Sequence, residues 1–179
     1  MPAPIADKFI GWDTKAFLRV EKAEKSGVRR RVWRYLSRSA DGPAYLAAIC
    51  CAAFMGHGGL HSPGLAALAI GFGIELPLYI MLKNRFKRTR PFRKLAGIQG
   101  HIQPPDEFSF PSGHSAGAFL VASVASIYMP HAAPLLLLWA CGVGYSRVAL
   151  GVHYPGDVLA GAALGCLAAV LSLHLAGSA

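Results

Sequence analysis

Acidic residues are scarce in this 179-residue chain: nine Asp and Glu stand against 18 Lys and Arg, and charged residues of either sign make up only 15% of it. With 54% of the residues hydrophobic, too few polar side chains remain to clothe a soluble globule, which points to a membrane. Cysteine is sparse as well. Cys50, Cys51, Cys141 and Cys166 lie in apolar stretches without C-x-x-C spacing or paired histidines, so neither a zinc site nor a disulfide framework is signalled, and they read as small buried hydrophobes. A secretory signal is also lacking, because the first thirty or so residues are charged and have no continuous apolar core.

What charge there is has a strict position. Lys and Arg occur only in residues 8–38, in residues 83–94 and at Arg147, giving a formal net charge of +9. A nucleic-acid partner is not expected, because no soluble module with exposed aromatic or polar readout groups accompanies the basic segments. Residues 7–38 place Phe9, Trp12, Ala16, Val20 and Ala23, then Val28, Val32, Tyr35 and Leu36, at helical spacing opposite a basic face. Such a helix lies in the membrane interface against anionic headgroups, or packs on its own protein with the basic face in solvent.

Asp41-Gly42-Pro43 is a break, and it divides a basic N-terminal helical segment, residues 1–43, from a transmembrane domain, residues 44–179. Candidate spans run over residues 44–61, 63–82, 112–129, 134–149 and 155–175, each near the ~20 residues a bilayer core requires, the fourth being short enough to be partly re-entrant. Gly161-x-x-x-Gly165 in the fifth suits close helix packing. The expected fold is therefore all-α, an integral-membrane bundle of about five helices with an amphipathic N-terminal helix. Five crossings put every Lys and Arg on one side, which the positive-inside rule makes cytoplasmic. A bacterial inner or plasma membrane is the expected location.

Three polar segments interrupt the apolar pattern. Lys83 and Arg90, seven apart in Lys83-Asn84-Arg85-Phe86-Lys87-Arg88-Thr89-Arg90-Pro91, offer a compact point charge and a bidentate guanidinium, a pairing that suits phosphate and also serves as a plain positive anchor. Pro111-Ser112-Gly113-His114 opens the third span. There, unpaired N–H groups and the helix dipole favour an anion, Ser112 adds a hydroxyl, Gly113 admits close backbone approach and His114 can donate a proton; an ordinary helix cap has the same look. In Ser146-Arg147-Val148-Ala149-Leu150-Gly151-Val152-His153-Tyr154-Pro155-Gly156-Asp157, Pro155 opens the last helix and Asp157 lies in its first turn. Asp157 can hold one ring nitrogen of His153 and leave the other as a nucleophile, or it can cap the helix beside an unrelated histidine.

In this order and spacing the three segments resemble, residue by residue, the signature of the type-2 phosphatidic acid phosphatase superfamily: K-x(6)-R-P at Lys83 to Pro91, P-S-G-H at Pro111 to His114 and S-R-x(5)-H-x(3)-D at Ser146 to Asp157. The resemblance covers about residues 65–175. It implies an all-helical bundle, phosphoester hydrolysis without a metal and no cofactor. It further implies that His153 attacks phosphorus, Asp157 orients it, and His114 protonates the leaving oxygen and then activates water. Lys83, Arg90, Arg147, Ser112 and the Gly113 N–H hold the phosphate oxygens. The implied substrate is a terminal phosphate on a phospholipid or on a polyprenyl phosphate or diphosphate taken from the bilayer. A phosphotransferase passing the group to a second lipid, or a non-catalytic binder of phosphorylated lipid, would carry the same motifs. Family members in membranes often have six spans, against five here.

Other polar residues have weaker claims. Glu75, two turns before Lys83 within the second span, is either a contact to the site or substrate headgroup, or a hydrogen bond inside the bundle. His57 and His61 have metal-compatible spacing but fall in a Gly-rich turn away from the motifs, so no metal site is expected. His101, Asp106 and Glu107 are expected to border the entrance, and Trp12, Trp33 and Trp139 to anchor at the interface.

Overall fold

The structure, a computed structural model, describes residues 5–24, 26–43, 45 and 63–177, residues 5–10 as backbone only. The regular structure among the described residues is all helical, as expected, with no strand among them. Helices α1 (Ile5–Ala23) and α2 (Gly27–Arg38) come first; α3 (Pro63–Phe86), the short α4 (Pro91–Lys94), α5 (Gly113–Tyr128), α6 (Ala133–Ala149) and α7 (Pro155–Leu175) follow.

Their starts are written locally. The Ser112 side chain accepts the Ser115 N–H at 3.4 Å at the head of α5, and Asp157 Oδ2 accepts the Tyr154 N–H at 2.8 Å at the head of α7, where Pro155 occupies a position that needs no amide donor. The Ser112 N–H donates to the Asp157 carbonyl at 3.0 Å, which ties these two helix starts together.

Helix α7 crosses α5 almost backbone to backbone. A Cβ at Gly161 would come within 2.3 Å of the Ser112 carbonyl oxygen, and one at Gly165 within 2.1 Å of that of Ala116, so the Gly161-x-x-x-Gly165 spacing is used at this crossing. Leu120 and Val124 of α5 pack there with Ala67 of α3 and Ala168, Ala169 and Leu173 of α7. Ala118 and Ala122 meet Ala140 and Val143 of α6 on the other side. The outer faces are apolar too: Leu138, Leu159 and Val170 are 69%, 60% and 64% exposed, a pattern that suits lipid as the surrounding solvent.

Three described stretches are long and apolar enough to cross a membrane, Pro63–Lys94, Pro130–Ala149 and Pro155–Leu175; they take in the expected second, fourth and fifth spans. The expected third is α5, whose 16 residues reach only about 24 Å at ~1.5 Å per residue. The first, with His57, His61, Cys50 and Cys51, lies outside the described residues.

Both described helices of the N-terminal segment pack on the protein itself. Helix α1 buries Phe17 against Val148 and Tyr154, an intramolecular contact that the stripe of Trp12, Ala16 and Val20 did not single out. Helix α2 rests on α6 through Leu36 and leaves Val28, Val32 and Tyr35 exposed.

Candidate active site

The three polar segments meet where α3, α5 and α7 end on one face of the bundle. Lys83 is at the end of α3, and Arg90 is the residue preceding α4. Lys83 Nζ and Arg90 Nη2 converge on one oxygen, Asp106 Oδ1, at 2.8 and 2.6 Å, while the Tyr79 hydroxyl donates to Asp106 Oδ2 at 2.7 Å. The other guanidinium nitrogen of Arg90 donates to the Val152 carbonyl at 2.8 Å and lies 3.2 Å from His153 Nε2. A guanidinium has no acceptor, so Nε2 must present its lone pair to Arg90 and the ring proton of neutral His153 sits on Nδ1.

Asp157 faces that proton from farther away than the sequence suggests. His153 Nδ1 is 3.7 Å from Asp157 Oδ2, beyond hydrogen-bonding distance, because Oδ2 accepts the Tyr154 N–H and Oδ1 accepts from Arg88 at 2.7 Å. Arg88 also donates to Asp13 Oδ2 at 2.6 Å, and Asp13 Oδ1 accepts the Gly156 N–H at 2.7 Å. Asp13, on α1, is 0% exposed. A buried carboxylate from the N-terminal helix therefore closes a chain that runs through Arg88 to Asp157. Asp13→Ala would strip Arg88 and the Gly156 N–H of a buried charged partner. It is expected to lower stability by about 1–3 kcal/mol, read as a fall in thermal midpoint in detergent; an unchanged midpoint would contradict this role.

His114, in the first turn of α5, has its own carboxylate: Nε2 lies 2.8 Å from Asp41 Oδ1. An ionised carboxylate only accepts, so the proton of this pair is on the histidine. Arg147, 2% exposed near the end of α6, donates to the Ser37 hydroxyl of α2. Ser112 is buried, and Gly113 sits under the Tyr79 ring, where a Cβ would approach to 2.9 Å. A cavity of about 620 Å³ opens onto His114 and Arg147, with Arg34, Arg38 and His101 in its wall. Glu75 is buried and borders, with Phe72, Tyr79 and His114, a second cavity of about 520 Å³; among the described residues it has no hydrogen bond to the motif residues.

Burial, reinforced by the charges of Arg147 and Arg90, pushes His153 down to about 3 against the pull of Asp157, so its ring is neutral throughout the physiological range. Burial would raise Asp106, yet hydrogen bonds from Lys83 and Tyr79 outweigh it and hold the carboxyl at about 2. Asp106 is thus an anion seated on the cations of the first motif. Asp13, Asp41 and Arg88 escaped the sequence reading. In a chain with nine acids, an aspartate within an apolar helical stripe was the one signal available for Asp13. Glu107 pairs with Arg93 at 3.3 Å at the surface, and Trp33 donates to Glu24 at 3.0 Å.

Fold and site together define a membrane-embedded helical bundle with a cationic pocket beside a buried neutral histidine. The chain belongs to the PAP2 superfamily, whose family model matches residues 64–178, so the resemblance carried by the three motifs holds. It is 30% identical over 149 residues to the decaprenylphosphoryl-5-phosphoribose phosphatase of Mycobacterium tuberculosis, covering 72% of this chain and 79% of that protein. It is 37% identical over 116 residues to phosphatidylglycerophosphatase B of Bacillus subtilis, covering 58% of this chain and 53% of that protein; the chain thus spans about half the length of that relative. The crystal structure of Aquifex aeolicus LpxE superposes with a TM-score of 0.79 at 27% identity, over 89% of this chain and 93% of that one. Its described helices, long and apolar enough to cross a membrane, make this an integral membrane protein.

Proposed function

We propose that the chain is a membrane lipid phosphatase that removes a terminal phosphate through a phosphohistidine on His153. The observation that carries this reading is the convergence of Lys83 and Arg90 on one anionic oxygen while Arg90 also touches His153 Nε2. An oxygen of a substrate phosphate taking the place of Asp106 Oδ1 would sit on two cations with its phosphorus beside the lone pair of a neutral imidazole. The names of the relatives, phosphatases of a polyprenyl-linked sugar phosphate and of a phospholipid, support the same class.

In this mechanism His153 Nε2 attacks phosphorus in line, and the bond from phosphorus to the lipid oxygen breaks. His114, entering as an imidazolium held by Asp41, gives a ring proton to that oxygen and becomes neutral, releasing the lipid alcohol. Asp157 closes on the Nδ1 proton and stabilises the imidazolium that forms. Water then attacks the phosphohistidine, His114 takes its proton, the N–P bond breaks and inorganic phosphate leaves. Arg147, Ser112 and the Gly113 N–H complete the set of donors to the equatorial oxygens.

These fixed cations do the work a metal ion does elsewhere, so turnover is expected to persist in excess chelator; a strict Mg²⁺ requirement would contradict the proposal. The wider test is phosphate release by purified protein from phospholipid or polyprenyl phosphate substrates. Release from water-soluble esters alone would sink the lipid assignment. With the basic segments on one membrane face, we read the pocket as opening toward the cytoplasm, and cysteine labelling of the N-terminal segment in intact cells checks that side.

A further inference from the structure

The 620 Å³ cavity extends well past the groups that the chemistry uses. His114 and Arg147 line it, as do Arg34 and Arg38 of α2, together with His101 and Gln103. Arg34 and Arg38 are four apart, one turn of the same helix face. Arg34 Nη2 donates to the His101 carbonyl at 3.1 Å, which fixes the guanidinium, while its Nε is buried without a hydrogen-bond partner. Among the described residues neither arginine has a carboxylate within ion-pair distance. The one carboxylate lining the cavity, Asp41, is committed to His114.

Position gives this unpaired charge a meaning. If His114 protonates the leaving oxygen, whatever that oxygen carries enters one of the two cavities that His114 borders, and of these the 620 Å³ one is lined by arginines. An apolar tail or a neutral alcohol gains nothing from two guanidinium groups there, whereas a second phosphate does, because a guanidinium binds phosphate oxygens bidentately. Counting Arg147, three cations and one carboxylate line the space, so it holds excess positive charge even with a first phosphate bound.

We propose that Arg34 and Arg38 form a second anion subsite that holds a phosphate next to the one being cleaved, which makes the substrate a lipid diphosphate rather than a lipid carrying a single phosphate. This rests on the phosphatase reading and narrows it to a substrate class. Helix α2, which the PAP2 family match does not include, thereby becomes the specificity element.

The test uses full-length protein in vesicles of neutral phospholipid, so that headgroup charge plays no part. A polyprenyl diphosphate and the monophosphate of the same chain are compared by kcat/KM, and inorganic pyrophosphate and orthophosphate are compared as inhibitors. The unmutated protein is expected to favour the diphosphate and to be inhibited by pyrophosphate at concentrations at least about tenfold lower than orthophosphate. In Arg34→Gln/Arg38→Gln both preferences should fall by about tenfold or more, while Arg34→Lys/Arg38→Lys, which keeps the charge, should retain part of each. Equal losses on the two lipids and the two inhibitors would overturn the subsite, as would no loss at all. Phosphate release from neither lipid by the unmutated protein would instead overturn the phosphatase reading.

Discussion

Replacing His153 with alanine is expected to abolish phosphate release, lowering kcat by at least about 10⁴-fold, because the proposed mechanism passes the phosphoryl to its Nε2 in the first step. Arg90 at 3.2 Å fixes the lone pair on Nε2, and the surrounding cations and burial keep the imidazole unprotonated. The side chain fills a buried position, so the thermal midpoint in detergent belongs beside the kinetics; a folded protein without turnover is the expected outcome. Turnover within tenfold of the unmutated protein would remove His153 from the chemistry.

The second large effect belongs to Arg90. Arg90→Gln should cost about 10²–10³ in kcat, the usual loss when one fixed donor to a developing oxyanion is removed. It should also leave a second mark. Arg90 is one of two guanidinium groups that disfavour the imidazolium of His153; taking away a positive neighbour makes protonation easier, so the pKa of His153 rises. Because the neutral ring is the active form, the acid limb of the pH profile then moves to higher pH. Arg90→Lys should fall between, since an ammonium cannot reach Asp106, the Val152 carbonyl and His153 together. A uniform rate loss with an unmoved acid limb would mean that Arg90 only positions the loop.

The sequence carried the motif residues because each set is local. Lys83 and Arg90 flank a single helix end, Ser112 caps α5 at a Pro-Ser-Gly-His start, and Asp157 closes the first turn of the helix that Pro155 opens. Local order writes helix starts and charge spacing directly, and the Gly161 and Gly165 pair announced its own crossing. The carboxylates that organise these residues come from elsewhere. Asp13 reaches Arg88 and Gly156 across 75 and 143 positions, and Asp41 reaches His114 across 73. No periodicity links such residues, and each is an ordinary helix-face or turn residue until the bundle folds. Asp106 was read as a rim residue, and only the folded loop sets it on Lys83 and Arg90. For α1, the apolar stripe allowed either a membrane or a protein partner. Phe17 and Asp13 turned that helix toward the protein, where one supplies apolar burial and the other a buried ion pair.

The occupied cation pair also bears on how a substrate enters. If a phosphate is to take Lys83 and Arg90 as proposed, Asp106 would have to give up both, and the Tyr79 hydroxyl would remain its donor. On the proposed reading, a dianionic phosphate would present more charge and more oxygens to these cations than the carboxylate it displaces.

The central claim is the covalent step at His153, and the direct measurement is to trap it. The purified protein is mixed with a lipid substrate labelled in its terminal phosphate, quenched in alkali within the first turnovers, and digested. Phosphohistidine survives base and is lost in acid, so the account predicts an alkali-stable, acid-labile label on the peptide containing His153, absent from His153→Ala. Phosphate released at full rate with no label on that peptide, or the same label in the alanine variant, would contradict it.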